Sequence, residues 1–387
     1  EQENLYNYSS YNIIRLEKPK EEKSNPGDKY IQAKQQYKAW LESKVLNYEK
    51  EPSIYLYEQH YEYENTIQVR EGIICGVQVE PYSNKVILPH EETLLKPKED
   101  RLNLLRHCNA NFSSIFGLYP DKEMSISKLL FKHKQSAPDI DFKDEQGQIH
   151  KVWVISDQNV INDLISRMSN KQIFIADGHH RYETALQYHQ EMKEKEGNHK
   201  YVMMTLINLY DPGLLILPTH RLVKNLVSFN ADAFIASLRN DFIIKKVESD
   251  PEKICHEGIQ ELRQAGTDGP SFGLYLGSRD YYILTLKRKS EGTGYDNLDV
   301  VILQNIILEK LLGIDAEKRS LEENLIYTRD CSYALNEVNK GEYQLAFLMN
   351  PTKKTEVTDA AIEGLKMPQK STYFYPKLIT GLVINPF

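Results

Sequence analysis

Residues 173–188, with the sequence IFIADGHHRYETALQY, contain the side chains best suited to chemistry. The first four residues are apolar and predict a short buried strand, and Asp177-Gly178 predicts a sharp turn into a helix that begins near His180. Glycine lets the backbone approach an anion closely or adopt a positive φ without strain. The amides of such a turn face outward at a helix N-terminus, where the helix dipole favours phosphate.

The side chains around this turn could bind phosphate or transfer protons. The planar guanidinium of Arg181 suits a phosphoryl group, and His179 and His180 can donate, accept or bind a metal. Asp177 can orient a histidine, hold Mg²⁺ or act as a base. An ordinary Asp-Gly turn with a surface ion pair is the alternative interpretation. Five polar groups in six positions favour a site, so Asp177, His179, His180 and Arg181 are candidate catalytic residues.

Three other clusters could contribute to the same site. His90-Glu91 lies with Arg101 in a non-periodic, charged stretch that suits a loop over a site, or else a solvated connection. His220-Arg221 follows a predicted strand, where α/β folds commonly hold ligands; a capped turn is the alternative. The tail, residues 367–387, mixes lysine, hydroxyl and aromatic side chains that can bind phosphate and stack on a base, or simply seal the core. The predicted nucleotide-binding residues are Gly178, Arg181, His90, Arg101, His220, Arg221, Lys370, Ser371, Thr372 and Lys377, and Glu91 is a further candidate base.

The composition limits the classes of function. The chain has 387 residues, is 41% hydrophobic and contains no apolar run approaching the roughly 18 residues of a membrane helix. Its net charge of −7 argues against DNA as a partner and favours a small polar ligand. Cys75, Cys108, Cys255 and Cys331 form no CxxC pair, so neither a zinc ribbon nor a disulfide framework is predicted, and the cytoplasm is the expected compartment.

The elements that must position these residues alternate between helix and strand. We predict a helix from Asp28 to about Tyr48, two antiparallel strands before residue 80, and a helix capped by Asp157. A second α/β alternation begins near Asn230. The sequence therefore predicts a mixed α/β (α+β) fold with an N-terminal domain, 1–228, and a smaller C-terminal domain, 229–387, whose extended tail returns to the site.

The box Gly178-His179-His180-Arg181-Tyr182-Glu183-Thr184-Ala185 resembles the GCHRYxA signature of sulfiredoxins and, more loosely, the GERRxRA box of ParB proteins. The catalytic cysteine of sulfiredoxins falls on His179, so this resemblance does not imply sulfinic acid reduction. The Asp-Gly-His-His-Arg form is more similar to the archaeal free serine kinases of the same superfamily. That resemblance implies a ParB/sulfiredoxin-like core that binds a nucleotide and transfers a phosphoryl group.

A wider resemblance covers nearly the whole chain. Its motifs, taken in order, are similar to those of the uncharacterised family known as domain of unknown function 1015. Members of that family usually begin with a further segment carrying a proline-tyrosine motif, so our list is expected to lack any site residue that such a segment contributes. The motifs are Ile87-Leu88-Pro89-His90-Glu91-Glu92-Thr93, Lys98-Glu99-Asp100-Arg101, the DGHHR box, Pro218-Thr219-His220-Arg221 and MPQKSTYFYPK at residues 367–377.

Together these observations predict a phosphotransferase that uses ATP or ADP, with Mg²⁺ on Asp177, to phosphorylate a small hydroxyl substrate. Arg181 and Lys370 would neutralise charge, and Glu91 or His180 would be the base. Two alternatives stay open. One is a metal-dependent phosphatase or hydrolase, and the other is a ParB-like, nucleotide-responsive binding module without turnover. A homodimer also stays open. The hydrolase would be built on His90, Asp177, His179, His180 and His220.

Overall fold

The computed structural model describes residues 2–21, 28–91, 95–248, 250–288, 293–320 and 323–387. The strands are β1 Ile54–Tyr63, β2 Thr66–Gln78, β3 Ile87–Leu88, β4 Ala110–Asn111, β5 Ile115–Tyr119, β6 Ile140–Lys143, β7 Ile149–Ile155, β8 Ile173–Asp177, β9 Tyr201–Asn208, β10 Leu215–Leu217, β11 His220–Val223, β12 Phe242–Val247, β13 Ser271–Tyr275, β14 Tyr281–Leu286, β15 Leu325–Thr328, β16 Leu345–Met349, β17 Tyr373–Tyr375 and β18 Asn385–Pro386.

The α-helices are α1 Gln2–Tyr8, α2 Ile14–Glu17, α3 Asp28–Glu42, α4 Leu95–Cys108, α5 Ser125–Leu130, α6 Gln158–Met168, α7 His179–Glu191, α8 Ala231–Leu238, α9 Pro251–Lys253, α10 Ile259–Asp268, α11 Asp299–Ile302, α12 Ala316–Ser320, α13 Cys331–Asn339 and α14 Lys354–Ile362. Wider π-helical turns follow α9 at Ile254–Gly258 and α11 at Leu303–Leu311. Short 3₁₀ turns lie at Tyr82–Asn84, Phe131–Gln135, Asn198–Lys200 and Tyr295–Asn297. The mixed α/β fold predicted from the sequence is confirmed.

The chain divides into two compact units. Unit 1 comprises residues 1–89, 93–215 and 376–387, and unit 2 comprises residues 90–92 and 216–375. The predicted boundary after Ser228 differs from this division, and the end of the tail belongs to unit 1 rather than to the C-terminal part. Hydrophobic patterning marks where elements begin and end, but it does not reveal which distant elements share a core.

Unit 1 is built on an eight-stranded mixed sheet with the order β3-β8-β5-β9-β2-β1-β7-β6. The pairs β3·β8 and β5·β9 are parallel, and the other neighbours are antiparallel. β9 lies in the middle, and seven of its eight residues are buried, which explains its continuous apolar sequence. Asp157 caps α6 by accepting a hydrogen bond from the Asn159 amide, as predicted.

Unit 2 contains a six-stranded antiparallel sheet with the order β12-β14-β13-β16-β11-β15. Its core includes Leu222, Phe272 and Leu348, whose side chains are fully buried. In the described part of the chain, no helix combines the length and the hydropathy needed to cross a bilayer.

A disulfide joins Cys255 to Cys331 in unit 2, with the two Cα atoms 5.7 Å apart. The sequence predicted no disulfide framework and did not indicate this single bond, because the two cysteines are separated by 76 residues and only the tertiary fold brings them together. Cys75 and Cys108 remain free thiols.

Candidate functional site

The candidate site lies where β8 ends and α7 begins, and the strand, glycine turn and helix predicted here are present. Gly178 precedes the first residue of α7 and has a φ of +96°, a left-handed conformation that favours glycine. A Cβ atom at this position would lie 2.9 Å from Nη2 of Arg181, so the glycine also makes room for the guanidinium. The turn therefore requires Gly178 for its backbone conformation and for the packing of Arg181.

A cavity of about 570 Å³ opens in unit 1 at this turn. It is lined by six of the predicted site residues, and residues at the end of α2, in α4, in the segment just before β5 and in the tail complete its wall. The predicted residues that line it are Asp177, Gly178, His180, Arg181, Arg101 and Lys377, and the others are Glu17, Lys18, Asp100, Ser113, Ser114, Leu378, Ile379 and Thr380.

Arg181 is held at the cavity wall by three hydrogen bonds. Its Nη1 donates to Oγ of Ser113 at 3.1 Å and to the carbonyl of Ser114 at 2.6 Å. Its Nη2 donates to Oδ2 of Asp177 at 3.2 Å. The side chain is only 27% exposed, so its position is fixed before any ligand binds.

Asp177 also meets a second cation, since Nζ of Lys377 lies 3.6 Å from its Oδ1. Half of this carboxylate is exposed, and both cations line the cavity. An incoming phosphate could therefore take over the interactions that Arg181 and Lys377 make with Asp177.

A second charged group, centred on Arg101, borders the cavity. Nη1 of Arg101 donates to the carbonyl of Glu17 at 2.6 Å, and the guanidinium also pairs with the adjacent Asp100. Burial alone would raise the pKa of Asp100, but hydrogen bonds from Arg101 and Lys29 outweigh it and hold that pKa at about 2. Asp100 is therefore ionised at neutral pH and neutralises part of the charge on Arg101.

The two histidines of the box have different environments. His180 lines the cavity, and burial lowers its pKa, so its imidazole is neutral at physiological pH and can accept a proton. His179 is only 5% exposed and is not among the described residues that line the cavity. The predicted catalytic role is thus geometrically available to His180, whereas His179 packs in the interior.

Two of the predicted residues, His90 and Glu91, belong to unit 2 and are not among those lining the cavity. His90 is 1% exposed, and its Nε2 lies 2.9 Å from Oγ1 of Thr372, a third predicted residue. Glu91 forms a parallel bridge with Met367. These contacts tie the start of the tail to a short segment of unit 2.

His220, Arg221, Lys370 and Ser371 also lie in unit 2, and they too are absent from the cavity lining as described. Nδ1 of the buried His220 accepts a hydrogen bond from the amide of Met349 at 3.1 Å. Arg221 is 4% exposed and donates to the carbonyls of Thr219 and, at 3.5 Å, Lys370. The Ser371 hydroxyl donates to the carbonyl of Pro368. These contacts shape the backbone of the tail within unit 2.

Ser113 and Ser114 line the cavity but were not among the predicted site residues. They lie beside the Asp177 turn because β5 runs antiparallel to β8 and pairs Phe116 with Asp177. The signal available was a pair of hydroxyl residues at the start of a segment, Ser113 to Tyr119, whose sequence predicts a strand, but nothing in the sequence showed which strand would be its neighbour. Glu17 and Lys18 were missed for the same reason, since α2 is distant in sequence.

No group of three or more His, Cys, Asp or Glu side chains with metal-binding geometry occurs among the described residues. The five residues proposed for a hydrolase centre are divided between the units, with His90 and His220 in unit 2. Asp177 could still supply one ligand to Mg²⁺, which commonly takes its remaining oxygen ligands from phosphate and water.

The sequence model of the family described as "Protein of unknown function (DUF1015)" matches residues 1–301. No curated protein matches the chain. Similar solved structures include a conserved hypothetical protein from Pyrococcus furiosus, which is 15% identical with a TM-score of 0.38 over 80% of this chain and 92% of that one. A free serine kinase in complex with AMP is 14% identical, with a TM-score of 0.40 over 78% and 86% of the two chains. SbnI with C-terminal truncation from Staphylococcus aureus is 10% identical, with a TM-score of 0.41 over 81% and 87%. At this level, these structural likenesses carry no argument about activity.

Proposed function

The chain belongs to the DUF1015 family, and we infer its activity from the residues of its own cavity. We propose that it is a nucleotide-dependent phosphotransferase that phosphorylates a small hydroxylated metabolite with ATP or ADP.

The observation that carries this proposal is the charge of the cavity at the Gly178 turn. Among the described residues, four cationic side chains line it against three carboxylates, so this lining is net positive in a chain whose net charge is −7. The N-terminus of the 13-residue helix α7 borders the same cavity through Gly178 and His180. Backbone amides, a helix dipole and fixed guanidinium groups together favour a polyphosphate. The cations are Lys18, Arg101, Arg181 and Lys377.

The proposed reaction uses these groups mainly for positioning and electrostatic stabilisation. The terminal phosphate binds at the Gly178 turn between Arg181 and Lys377. The acceptor hydroxyl oxygen attacks the terminal phosphorus, and the bond from phosphorus to the bridging oxygen of the nucleotide breaks. His180 takes the hydroxyl proton, and the negative charge that leaves on the nucleotide is stabilised by the cations. We assign the base role to His180 rather than to Glu91, because His180 lines the cavity.

We further propose that Mg²⁺ enters with the nucleotide. Asp177 would supply one carboxylate ligand, while phosphate oxygens and water would supply the others. The metal would neutralise phosphate charge during transfer, and omission of Mg²⁺ is expected to weaken both binding and turnover.

The test combines binding with turnover. Calorimetry with ATP and ADP, each with and without Mg²⁺, measures affinity, and radiolabelled nucleotide with a pool of hydroxylated metabolites detects transfer. Arg181→Ala should abolish transfer and weaken nucleotide binding by at least about tenfold, because a charged hydrogen bond contributes roughly 1.5–3 kcal/mol. Its melting temperature should stay within a few degrees of the wild-type value.

Arg167→Ala is the matched control, because Arg167 forms an analogous ion pair with Asp163 on the exposed face of α6 and is not among the residues described as lining the cavity. Absence of nucleotide binding to the wild type would refute the proposal. Binding without transfer, accompanied by dimerisation in size-exclusion chromatography, would support a nucleotide-responsive module instead.

A further inference from the structure

The segment that carries Lys377 is fixed by a buried polar network in unit 1. Arg70, on β2, is 1% exposed, and its Nη1 donates to the carbonyl of Pro376 at 2.5 Å. Gln59, on β1, is also 1% exposed, and its Nε2 donates to the carbonyl of Lys377 at 3.2 Å. Two successive carbonyls of the tail are therefore held by two side chains of the sheet.

Arg70 and Gln59 act together because the register of β1 and β2 places them directly opposite each other. Nη2 of Arg70 donates to Oε1 of Gln59. A guanidinium has no acceptor atom, so this contact fixes the orientation of the Gln59 amide and turns its NH₂ group towards the tail. The same NH₂ group donates to Oε1 of Gln148 at 2.6 Å, which completes its hydrogen bonding.

Burying the guanidinium of Arg70 is energetically unfavourable, because the charge loses its contact with water. Burial lowers its pKa to about 10, so it is still charged at neutral pH, and its Nε has no hydrogen-bond partner among the described residues. Its guanidinium carbon lies 4.9 Å from the centre of the Phe116 ring. Burying a charge against carbonyls and a ring costs more than an apolar contact would, so sealing the tail against the sheet does not by itself explain an arginine here.

We infer that Arg70 and Gln59 are positioning residues for Lys377, and this inference rests on the proposed function for its catalytic meaning. They hold the carbonyl groups of the two peptide units that flank the Cα atom of Lys377. The side chain of Lys377 then extends from a backbone that is held in place, and its ammonium group lies beside Asp177 at the cavity. A lysine side chain has several rotatable bonds, and restricting its backbone reduces the entropy lost when it binds phosphate.

The test substitutes Gln59→Glu. The carboxylate keeps the shape of glutamine and still accepts from Arg70, but it cannot donate to the carbonyl of Lys377. Gln148→Glu is the matched control, because it adds the same carboxylate to the same network and still accepts from Gln59. Acetylation by acetic anhydride, followed by mass spectrometry, measures the reactivity of Lys377, with Lys171 as an internal reference that pairs with Asp121 elsewhere in unit 1.

Gln59→Glu should raise the acetylation rate of Lys377 roughly fivefold, the change equivalent to about 1 kcal/mol of lost hydrogen bonding, while Lys171 is unchanged. Gln148→Glu should leave both rates at their wild-type values. Arg70→Lys is the second variant, because lysine keeps the positive charge but lacks the planar guanidinium. It should also raise the acetylation rate of Lys377. Unchanged Lys377 reactivity in folded Gln59→Glu and Arg70→Lys proteins would overturn the inference.

A double-mutant cycle connects the network to binding. If Gln59 acts through Lys377, then Gln59→Glu should weaken ADP binding in the wild type but not in a Lys377→Ala background. Equal losses in both backgrounds would mean a general structural effect and would overturn the inference. If the wild type binds no ADP, the proposed function fails, whereas the acetylation rates still decide whether the network positions Lys377.

Discussion

Asp177 accepts contacts from both Arg181 and Lys377, and this arrangement explains how the cavity keeps its cations in place without a ligand. The carboxylate contacts both cations, and the hydrogen bonds of Arg181 to Ser113 and Ser114 add to its hold on the guanidinium. Phosphate oxygens can then replace the carboxylate oxygens with little rearrangement. The arrangement was only partly predictable, because Asp177 and Arg181 are four residues apart but Lys377 is distant in sequence.

Gly178→Ala should destabilise the protein by about 1–2 kcal/mol, since an L-residue disfavours the left-handed conformation. The new Cβ atom would also displace the guanidinium of Arg181 and weaken nucleotide binding. Thermal unfolding and calorimetry measure the two effects. Gly294→Ala is the control, because a Cβ there has open space and the backbone is not left-handed. Equal effects from the two substitutions would contradict the role given to Gly178.

His220 should make the protein less stable in acid. Burial is the main reason that the pKa of this histidine falls from its ordinary 6.5 to about 4. Between these pH values the unfolded chain binds a proton at this position and the folded chain does not, so stability decreases as the pH falls from 6.5 to 4. The loss should reach about 3 kcal/mol at pH 4.

Urea denaturation at a series of pH values measures this loss. His220→Asn retains an acceptor for the Met349 amide but does not titrate, so its stability should depend less on pH in that window. His256→Asn, at an exposed position in unit 2, serves as the control. If His220→Asn and the wild type showed the same slope, the buried histidine would not be the source of the acid sensitivity.

At the scale of elements, the local patterns were the most informative. The strand, turn and helix from β8 to α7 follow from apolar spacing and one glycine within a short stretch of chain. The hydrogen bonds that Arg70 and Gln59 make to the tail span 306 and 318 residues, and no local pattern encodes them. The sequence therefore predicted the turn that carries the site, but not the contribution of the two serines just before β5 or the network beneath the tail.

The Cys255–Cys331 disulfide connects the π-helical turn after α9 to the start of α13. Removing it should lower the free energy of unfolding by roughly 2–5 kcal/mol, because the unlinked chain gains conformational freedom when it unfolds. Dithiothreitol should lower the denaturation midpoint of the wild type. Dithiothreitol should not change the midpoint of a Cys255→Ala/Cys331→Ala variant. If it also left the wild-type midpoint unchanged, that result would argue against the disulfide.

For the whole molecule, the main difference between expectation and structure is that both units are discontinuous in sequence. The predicted division at residue 228 assumed that each domain is a single stretch. The structure instead assigns residues 376–387 to unit 1, where Leu378, Ile379, Leu382 and Val383 pack against a buried cluster of Tyr57, Ile74, Val152 and Met203. The prediction that the tail returns to the site is consistent with Lys377 lining the cavity.

Truncation after Tyr375 should therefore destabilise unit 1. Each of the four aliphatic side chains is partly buried, and their loss should cost roughly 1 kcal/mol apiece. The two tryptophans, Trp40 and Trp153, both lie in unit 1, so tryptophan fluorescence during denaturation reports on that unit. Leu378→Ala/Leu382→Ala in the full chain should show part of the same loss, and an unchanged fluorescence midpoint after truncation would refute the assignment of the tail.

The discontinuity of unit 1 also has a consequence during translation. A ribosome that has made residues 1–215 must still synthesise residues 216–375 before the segment with Lys377 can emerge. At about 5–20 residues per second, this delay lasts on the order of 10–30 s. During that interval the surface around Tyr57 and Met203 lacks the segment that covers it. The nascent chain is then exposed to chaperones and cannot yet form the complete cavity, so binding competence is acquired late in synthesis.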